Sequence, residues 1–277
     1  MKLPKAVLPH VAGRSCTLDA VGHSGSTIAL FDDRVLKIEP AGRESDTALR
    51  MMAWLSGRLP VPRVIASTQE DGLCYTLMTR VTGEMACAPR YMRAPQTLTG
   101  MLADALRMLW RVPVTDCPVR QTLDEKLRLA RSRVEGGLVD VHDVEPETFG
   151  PGGFEGPAAL LEWLETHRPP EDLVLSHGDF CLPNVFMEDG HVSGLIDLGR
   201  AGAADCWQDI ALCLRSLRHN AQGRYGPAYP GVDEGLLLRA LGMAPDREKI
   251  RYYLLLDELF LTPALDNSAF RRYTFRV

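Results

Sequence analysis

Residues 176–200 read SHGDFCLPNVFMEDGHVSGLIDLGR and set three polar side chains beside apolar, strand-like segments. These side chains are Asp179, Asn184 and Asp197. Because a buried carboxylate is costly unless it is paired or bound to a cation, few folds accommodate such a stretch. The three residues therefore either bind a cation and phosphate together or cap turns individually.

The spacing of the three residues favours the cation and phosphate interpretation. Asp179 and Asn184 form D-x-x-x-x-N, which is the spacing of the protein-kinase catalytic loop, and Asp197-Leu198-Gly199 stands where a kinase carries D-F-G. Phosphoryl transfer needs a carboxylate that accepts or orients the acceptor's hydroxyl hydrogen, and oxygen ligands that hold Mg²⁺ against the nucleotide phosphates. Each residue alone is more typical of a turn cap. Their order predicts a phosphotransfer site.

The order of the predicted elements indicates an α+β chain with two lobes. The first eighty residues contain five strand-like segments and one helix: RSCTLDAV, TIALF, RVLKIE, PRVIAST, LCYTLMT and the helix GRESDTALRMMAWLSGR. Helical periodicity dominates after residue 84, and Asp189-Gly190 predicts a β-hairpin turn between two later strands. We expect residues 1–80 to form a nucleotide-binding, antiparallel N-lobe and residues 81–277 a mostly helical, catalytic and acceptor-binding C-lobe. The Gly/Pro-rich segment 143–157 is predicted to be a surface loop over the site.

Composition excludes several classes of partner and location. The net charge of −5 argues against nucleic acid as a partner, because a phosphate backbone selects basic surfaces. The N-terminus has no apolar signal-peptide region, and no apolar run approaches the ~18 residues of a membrane span. The seven cysteines are scattered without a C-x-x-C pair, which indicates a reducing compartment. We therefore expect a cytoplasmic protein with no membrane partner.

Three segments carry a resemblance to a known family. They are SHGDFCLPNVFMEDGHVSGLIDLGRAGAADCWQDIALCLRSL, MMAWLSGRLPVPRV and KIRYYLLLDELF. From about residue 14 to residue 260, the chain resembles the aminoglycoside 3′-phosphotransferases, which are relatives of the protein kinases. The resemblance implies a two-lobed, protein-kinase-like fold. It also implies ATP-dependent phosphorylation of the 3′-hydroxyl of an aminoglycoside antibiotic, which confers resistance.

The resemblance assigns roles to four residues of the central stretch. By position, Asp179 matches the catalytic base, and Asn184 and Asp197 match the magnesium ligands. Arg200 matches an active-site arginine close to them.

The sequence contains no P-loop motif G-x-x-x-x-G-K-[ST], so other residues must bind the nucleotide phosphates. In VGHSGST, residues 21–27, we expect Ser24, Gly25 and Ser26 to bring backbone and hydroxyl donors to phosphate, with a plain hairpin turn as the alternative. Strand alternation puts Lys37 on the face opposite its apolar neighbours. An exposed strand lysine is common, but the resemblance implies that Lys37 contacts the α/β-phosphates.

The resemblance also implies a helix glutamate as the partner of Lys37. The matching position is Ala48, so Glu44, one turn earlier on the same face, is the candidate. The alternative is that Glu44 occupies the first helical turn because the helix dipole favours an acid there. The connection MTRVTG, residues 78–83, is expected to offer backbone groups around Thr79 and Val81 to the base of ATP or GTP.

An aminoglycoside is a polycation, so its pocket needs carboxylates near Asp179. The candidates lie in the loop-bearing segment and in the last helix: Asp140, Asp143, Glu145, Asp257 and Glu258. A solvated acidic loop is the alternative for the first three. The chain also continues past Phe260, where the resembled chains end, and adds LTPALDNSAFRRYTFRV.

Two other functions remain open at this stage. One is a metabolite kinase that phosphorylates a different alcohol, and the other is a nucleotide-binding pseudoenzyme. The intact trio at 179, 184 and 197 disfavours the pseudoenzyme. We expect the protein to be a monomer or a weak dimer.

Overall fold

The computed structural model describes residues 3–18, 26–142 and 144–261. Its N-terminal part is a five-stranded antiparallel sheet in the order β1-β2-β3-β5-β4. The strands are β1 (Thr17–Leu18), β2 (Thr27–Leu30), β3 (Arg34–Pro40), β4 (Val64–Glu70) and β5 (Leu73–Thr79). In β3, Leu36 and Ile38 are buried while Lys37 projects from the opposite face, as the alternation predicts.

Two helices flank this sheet and bury different faces. The short helix α1 (Leu8–Val11) contributes Val11 to an apolar core beneath the sheet. Helix α2 (Arg43–Leu55) begins at a capping box in which the Ser45 hydroxyl pairs with the backbone of Gly42. The buried side of α2 joins the core of the C-terminal helices rather than the core of the sheet. Helix α2 therefore connects the five-stranded sheet to the rest of the molecule.

The part after residue 84 is mostly helical, which confirms the predicted α+β fold. It contains α3 (Pro89–Met92), α4 (Pro95–Trp110), α5 (Leu123–Glu135), α6 (Pro157–Thr166), α7 (Cys206–Ala221), α8 (Glu234–Leu241) and α9 (Arg247–Glu258). Helices α1, α3 and α8 are not predicted by the sequence patterns, because each is too short to show a clear period. Among the described residues, no helix is both long and apolar enough to cross a membrane.

Two small sheets hold the central stretch of the sequence. Strand β6 (Glu84–Met85) pairs with β8 (Val185–Glu188), which forms the predicted hairpin with β9 (His191–Leu195). Asp189 and Gly190 make its turn with φ of 48° and 81°, a left-handed backbone that this sequence pair accommodates. Strand β7 (Leu173–Ser176) pairs instead with β10 (Gly202–Asp205). The SHGD segment thus follows a strand of one small sheet, and the hairpin belongs to the other.

Candidate active site

The segment from Ser176 to Asp179 is anchored by a buried carboxylate. Asp209 of α7 is fully buried and accepts hydrogen bonds from the Ser176 hydroxyl (3.0 Å), the His177 backbone N–H (2.7 Å) and the Gly178 backbone N–H (2.9 Å). Burial raises the pKa of Asp209, and its contacts with His177 and Gly178 oppose the shift. These bonds fix the backbone that presents Asp179.

Asp179 and Asn184 are in direct contact. The side-chain amide of Asn184 donates to the Asp179 carboxylate (3.0 Å) and to the Asp179 carbonyl (2.9 Å), and the Cys181 thiol donates to the other carboxylate oxygen (3.0 Å). Because the amide N–H groups of Asn184 point to Asp179, its amide oxygen is left as an acceptor for a further partner. One short turn therefore orients a carboxylate and supplies an oxygen ligand.

Asp197 lies at the end of the hairpin, next to the same turn. The Ile196 backbone N–H donates to the Asn184 carbonyl (3.0 Å), which brings the residue before Asp197 against Asn184. Asp197 adopts a left-handed backbone (φ 60°, ψ 61°), an uncommon conformation for a residue other than glycine. Such outliers cluster at functional sites, where the surrounding structure holds them.

Lys37 reaches Asp197 from the sheet. Its ammonium lies 3.1 Å from the Asp197 carboxylate and 2.8 Å from the Glu39 carboxylate. Burial alone would raise the pKa of Asp197, but the Lys37 ammonium holds that pKa below its usual value. Asp197 is therefore an anion with part of its surface still open, since its side chain is 39% exposed. The structure brings the predicted phosphate contact and a predicted metal ligand together.

The interpretation of Glu44 as the partner of Lys37 is wrong. Glu44 instead pairs with Arg200, whose Nε lies 3.0 Å from the Glu44 carboxylate. The glutamate that pairs with Lys37 is Glu39, which lies two residues further along the same strand and therefore on the same face of the sheet. Strand periodicity could have found Glu39, whereas the approach of Arg200 to α2 is a tertiary contact that no local pattern predicts.

Arg200 and the end of α9 form a second charged group. Arg200 contacts Asp257 (3.3 Å) and the Phe260 carbonyl (3.3 Å), and Arg215 of α7 contacts Asp257 from the other side. Burial alone would raise the pKa of Asp257, but Arg215 and Arg200 hold it below its usual value. Glu258 is only 1% exposed, and burial raises its pKa to about 7. This burial argues against the predicted contact of Glu258 with an acceptor.

The loop carboxylates are also engaged within the protein. Glu145 lies 2.7 Å from His219 and 3.2 Å from Arg218, both near the C-terminal end of α7. Asp140 accepts a hydrogen bond from a backbone N–H of its own loop (2.8 Å) and is half-buried. Asp143 lies outside the described residues. An acceptor role for Asp140 and Glu145 stays a prediction.

The predicted nucleotide contacts are only partly covered by the structure. Ser24 and Gly25 lie outside the described residues, while Ser26 is half-buried just before β2. The backbone N–H of Thr79 donates a hydrogen bond to the Arg63 carbonyl (2.9 Å), so it is not free to bind the base of the nucleotide. Within the described part of the chain, the backbone groups of Val81 make no backbone–backbone hydrogen bond. Val81 is therefore the better candidate of the two.

The oxygen donors present suit Mg²⁺. Asn184 offers an amide oxygen and Asp197 a carboxylate, the ligand types that this hard cation prefers. No cluster of three or more His, Cys, Asp or Glu side chains with metal-binding geometry occurs in the described ranges. Two protein ligands are consistent with Mg²⁺ at a nucleotide site, because water and phosphate oxygens complete its coordination.

The chain is similar to several proteins of known activity or structure. Residues 15–253 match the family described as "Phosphotransferase enzyme family". An aminoglycoside 3′-phosphotransferase of Enterococcus faecalis is 40% identical over 221 residues, which are 79% of this chain and 78% of the relative. The crystal structure of an aminoglycoside-3′-phosphotransferase of type VIII superposes with a TM-score of 0.74 at 31% identity, covering 92% of this chain and 98% of that one. An aminoglycoside phosphotransferase from Streptomyces rimosus, in complex with ADP and streptomycin, has a TM-score of 0.72 at 27% identity and covers 92% and 96%.

Proposed function

The chain belongs to the phosphotransferase enzyme family, and from its site we propose that it transfers the γ-phosphate of ATP to the 3′-hydroxyl of an aminoglycoside antibiotic, which confers resistance. The observation that carries this proposal is the meeting of two pairs at one end of the hairpin: Asp179 with Asn184, and Asp197 with Lys37. The relatives named for 3′-phosphorylation of aminoglycosides, which match most of the chain, support the choice of acceptor.

In this proposal Asp179 accepts the proton of the 3′-hydroxyl. Its carboxylate is oriented by the Asn184 amide and the Cys181 thiol, each 3.0 Å away, so little ordering remains when the acceptor arrives. A base fixed in this way raises the nucleophilicity of the hydroxyl as phosphate passes in line from the nucleotide.

The same proposal places the nucleotide against Lys37, Asn184 and Asp197. Lys37 contacts the α/β-phosphates, Ser24, Gly25 and Ser26 cover the phosphates, and the Val81 backbone binds the base of ATP or GTP. Asn184 and Asp197 would hold Mg²⁺, which neutralises phosphate charge when bound. Residues 1–80 are proposed to be the nucleotide-binding lobe, and residues 81–277 to carry the catalytic and acceptor sites.

Arg200 and its partners would shape the acceptor side. Because Arg200 and Arg215 neutralise Asp257, a cationic acceptor gains less attraction from Asp257 than from an unpaired carboxylate. We propose that Asp140, Asp143 and Glu145 of the loop-bearing segment supply further negative charge, which is reduced at Glu145 by its contact with Arg218. The use of ATP and the seven cysteines, all of them free, support the cytoplasm as the place of the reaction.

An ADP-release assay with matched acceptors tests the proposal. Kanamycin and neomycin are expected to raise ADP release by at least about 100-fold over the acceptor-free rate, because an oriented hydroxyl replaces water as nucleophile. A 3′-deoxy analogue of kanamycin is the matched control and should give only the acceptor-free rate.

The other outcomes point to different functions. Equal stimulation by the 3′-deoxy analogue would move the reaction to another hydroxyl, and stimulation by streptomycin alone would point to the chemistry of the Streptomyces rimosus relative. Stimulation by a metabolite alcohol but by no aminoglycoside would indicate a metabolite kinase. No ADP release with any acceptor would indicate a pseudoenzyme.

A further inference from the structure

A cavity of about 50 Å³ lies behind Arg200, between α2, α5, α7 and α9. Lys126, Arg200, Gln208 and Phe260 are among its lining residues. The four residues that carry the proposed transfer do not line it: Lys37, Asp179, Asn184 and Asp197. The space suits a few water molecules or one small oxyanion.

Lys126 gives this cavity its unusual chemistry. Its side chain is on α5, is only 9% exposed, and makes no hydrogen bond or ion pair with any residue that the structure describes. Burial and the nearby charge of Arg200 lower the pKa of Lys126 to about 8, against the weaker attraction of Asp257. The ammonium nitrogen itself keeps some accessible surface, unlike the fully buried Gln208 amide oxygen, so an anion can approach it. The adjoining cavity is where a counter-ion could lie.

The surrounding charges leave a positive excess. Three cations surround the Phe260 ring, with Lys126 at 5.7 Å and Arg133 and Arg200 both at 5.9 Å from its centroid. Arg133 donates to three main-chain carbonyls and has no carboxylate partner among the described residues. Arg200 is paired with Glu44 and with Asp257, and Asp257 is shared with Arg215, so no carboxylate is left to pair with Lys126 or Arg133 among the described residues. The excess favours an anion at this position.

Gln208 adds an acceptor to the same lining. Its amide nitrogen donates to the Gly178 carbonyl (3.1 Å), while its buried amide oxygen has no hydrogen-bond partner. A buried acceptor without a donor is costly. An oxyanion that carries its own O–H group satisfies this acceptor and the ammonium together, because it accepts from Lys126 and donates to Gln208.

We propose that this cavity binds a small protonated oxyanion of the hydrogen phosphate class, with the Lys126 ammonium as its counter-ion. The bound anion would contact Gln208, whose side-chain amide donates to the Gly178 carbonyl. Gly178 directly precedes Asp179 in the chain. Its effect is therefore to stabilise the folded protein around the catalytic segment. The proposal does not depend on the identity of the acceptor, so failure of the aminoglycoside assay leaves it intact.

Thermal unfolding of the full chain in matched salts tests this proposal. A saturating Mg-bound, non-hydrolysable ATP analogue is kept present, so that its γ-phosphate group prevents added phosphate from acting through the nucleotide site. At 50 mM anion and constant ionic strength, phosphate is expected to raise Tm by about 5 °C more than sulfate, because a ligand bound only by the folded state stabilises it. Sulfate is the reference, since it stabilises proteins non-specifically but has no hydrogen to donate at neutral pH.

Variants assign the effect to the cavity. Lys126→Met should abolish the difference between phosphate and sulfate, and the matched control Lys5→Met, at an exposed lysine, should keep it. Gln208→Glu is the second variant, because its carboxylate would pair with Lys126 and exclude the anion. Equal Tm values in phosphate and sulfate for the wild type would overturn the proposal and leave only water in the cavity. An undiminished phosphate effect in both variants would also overturn it.

Discussion

The Asp179→Ala variant is expected to lose turnover by about 10³-fold while its affinity for Mg-nucleotide changes by less than about twofold. A positioned general base contributes roughly 10²–10⁴-fold to the rate, and removal of Asp179 also removes the group that orients the hydroxyl. Nucleotide affinity is preserved because Lys37 and Asp197 contact each other rather than Asp179. Initial rates of ADP release and calorimetric titration with the nucleotide measure the two effects.

Asp104→Ala provides the control for this variant. Asp104 is an exposed carboxylate of α4 whose one ion-pair partner among the described residues is Arg107, so its loss should change neither quantity. Losses of similar size in turnover and nucleotide affinity for Asp179→Ala would contradict its role as the base.

Gly178→Ala is expected to produce the largest loss of stability. Gly178 has φ of 81°, and a Cβ there would lie 1.9 Å from the Arg200 carbonyl oxygen. Because the clashing atom belongs to the backbone, no side-chain rotation relieves it. Strain in the left-handed region and overpacking together should cost about 3 kcal/mol or more, which lowers Tm by roughly 10 °C. Differential scanning calorimetry of the two proteins measures the change.

Gly190→Ala isolates the contribution of the close approach. Gly190 has the same φ of 81° in the hairpin turn, but its Cβ would meet no atom within 4 Å. This variant should therefore cost only the backbone strain, about 1 kcal/mol. If both variants lowered Tm equally, the contact between Gly178 and Arg200 would not be what constrains the segment.

The sequence predicts the fold wherever a local pattern is long enough to show its period. The strands β2 to β5, the helix α2 and the hairpin turn at Asp189 and Gly190 all occur where the pattern places them. The sequence patterns do not predict the pairing of β7 with β10, because it joins strands separated by the whole hairpin. They also do not predict helix α8, which has only eight residues.

The candidate site divides in the same way. Asp179 and Asn184 could be paired from sequence, since five residues across one turn bring their side chains together. The sequence suggests that Asp209 braces the elements around the hairpin, but its three donors at Ser176, His177 and Gly178 require the structure, because Asp209 lies 30 residues from Asp179 on another element. The Glu44–Arg200 contact is also set only by tertiary packing. Spacing thus predicts which groups react, whereas the residues that hold these groups in place require the structure.

The most direct test of the account is the effect of Mg²⁺ on ADP affinity in the wild type and in Asp197→Asn. Four dissociation constants are needed, with and without Mg²⁺ for each protein. For each protein, the dissociation constant without Mg²⁺ is divided by the one with Mg²⁺. The loss of the Asp197–Lys37 contact does not affect this ratio in the variant, because the contact is absent both with and without Mg²⁺. We predict that Mg²⁺ tightens ADP binding to the wild type by at least about tenfold and to the variant by less than about twofold. The same tightening in both proteins would show that Asp197 does not hold the metal and would contradict the proposed site.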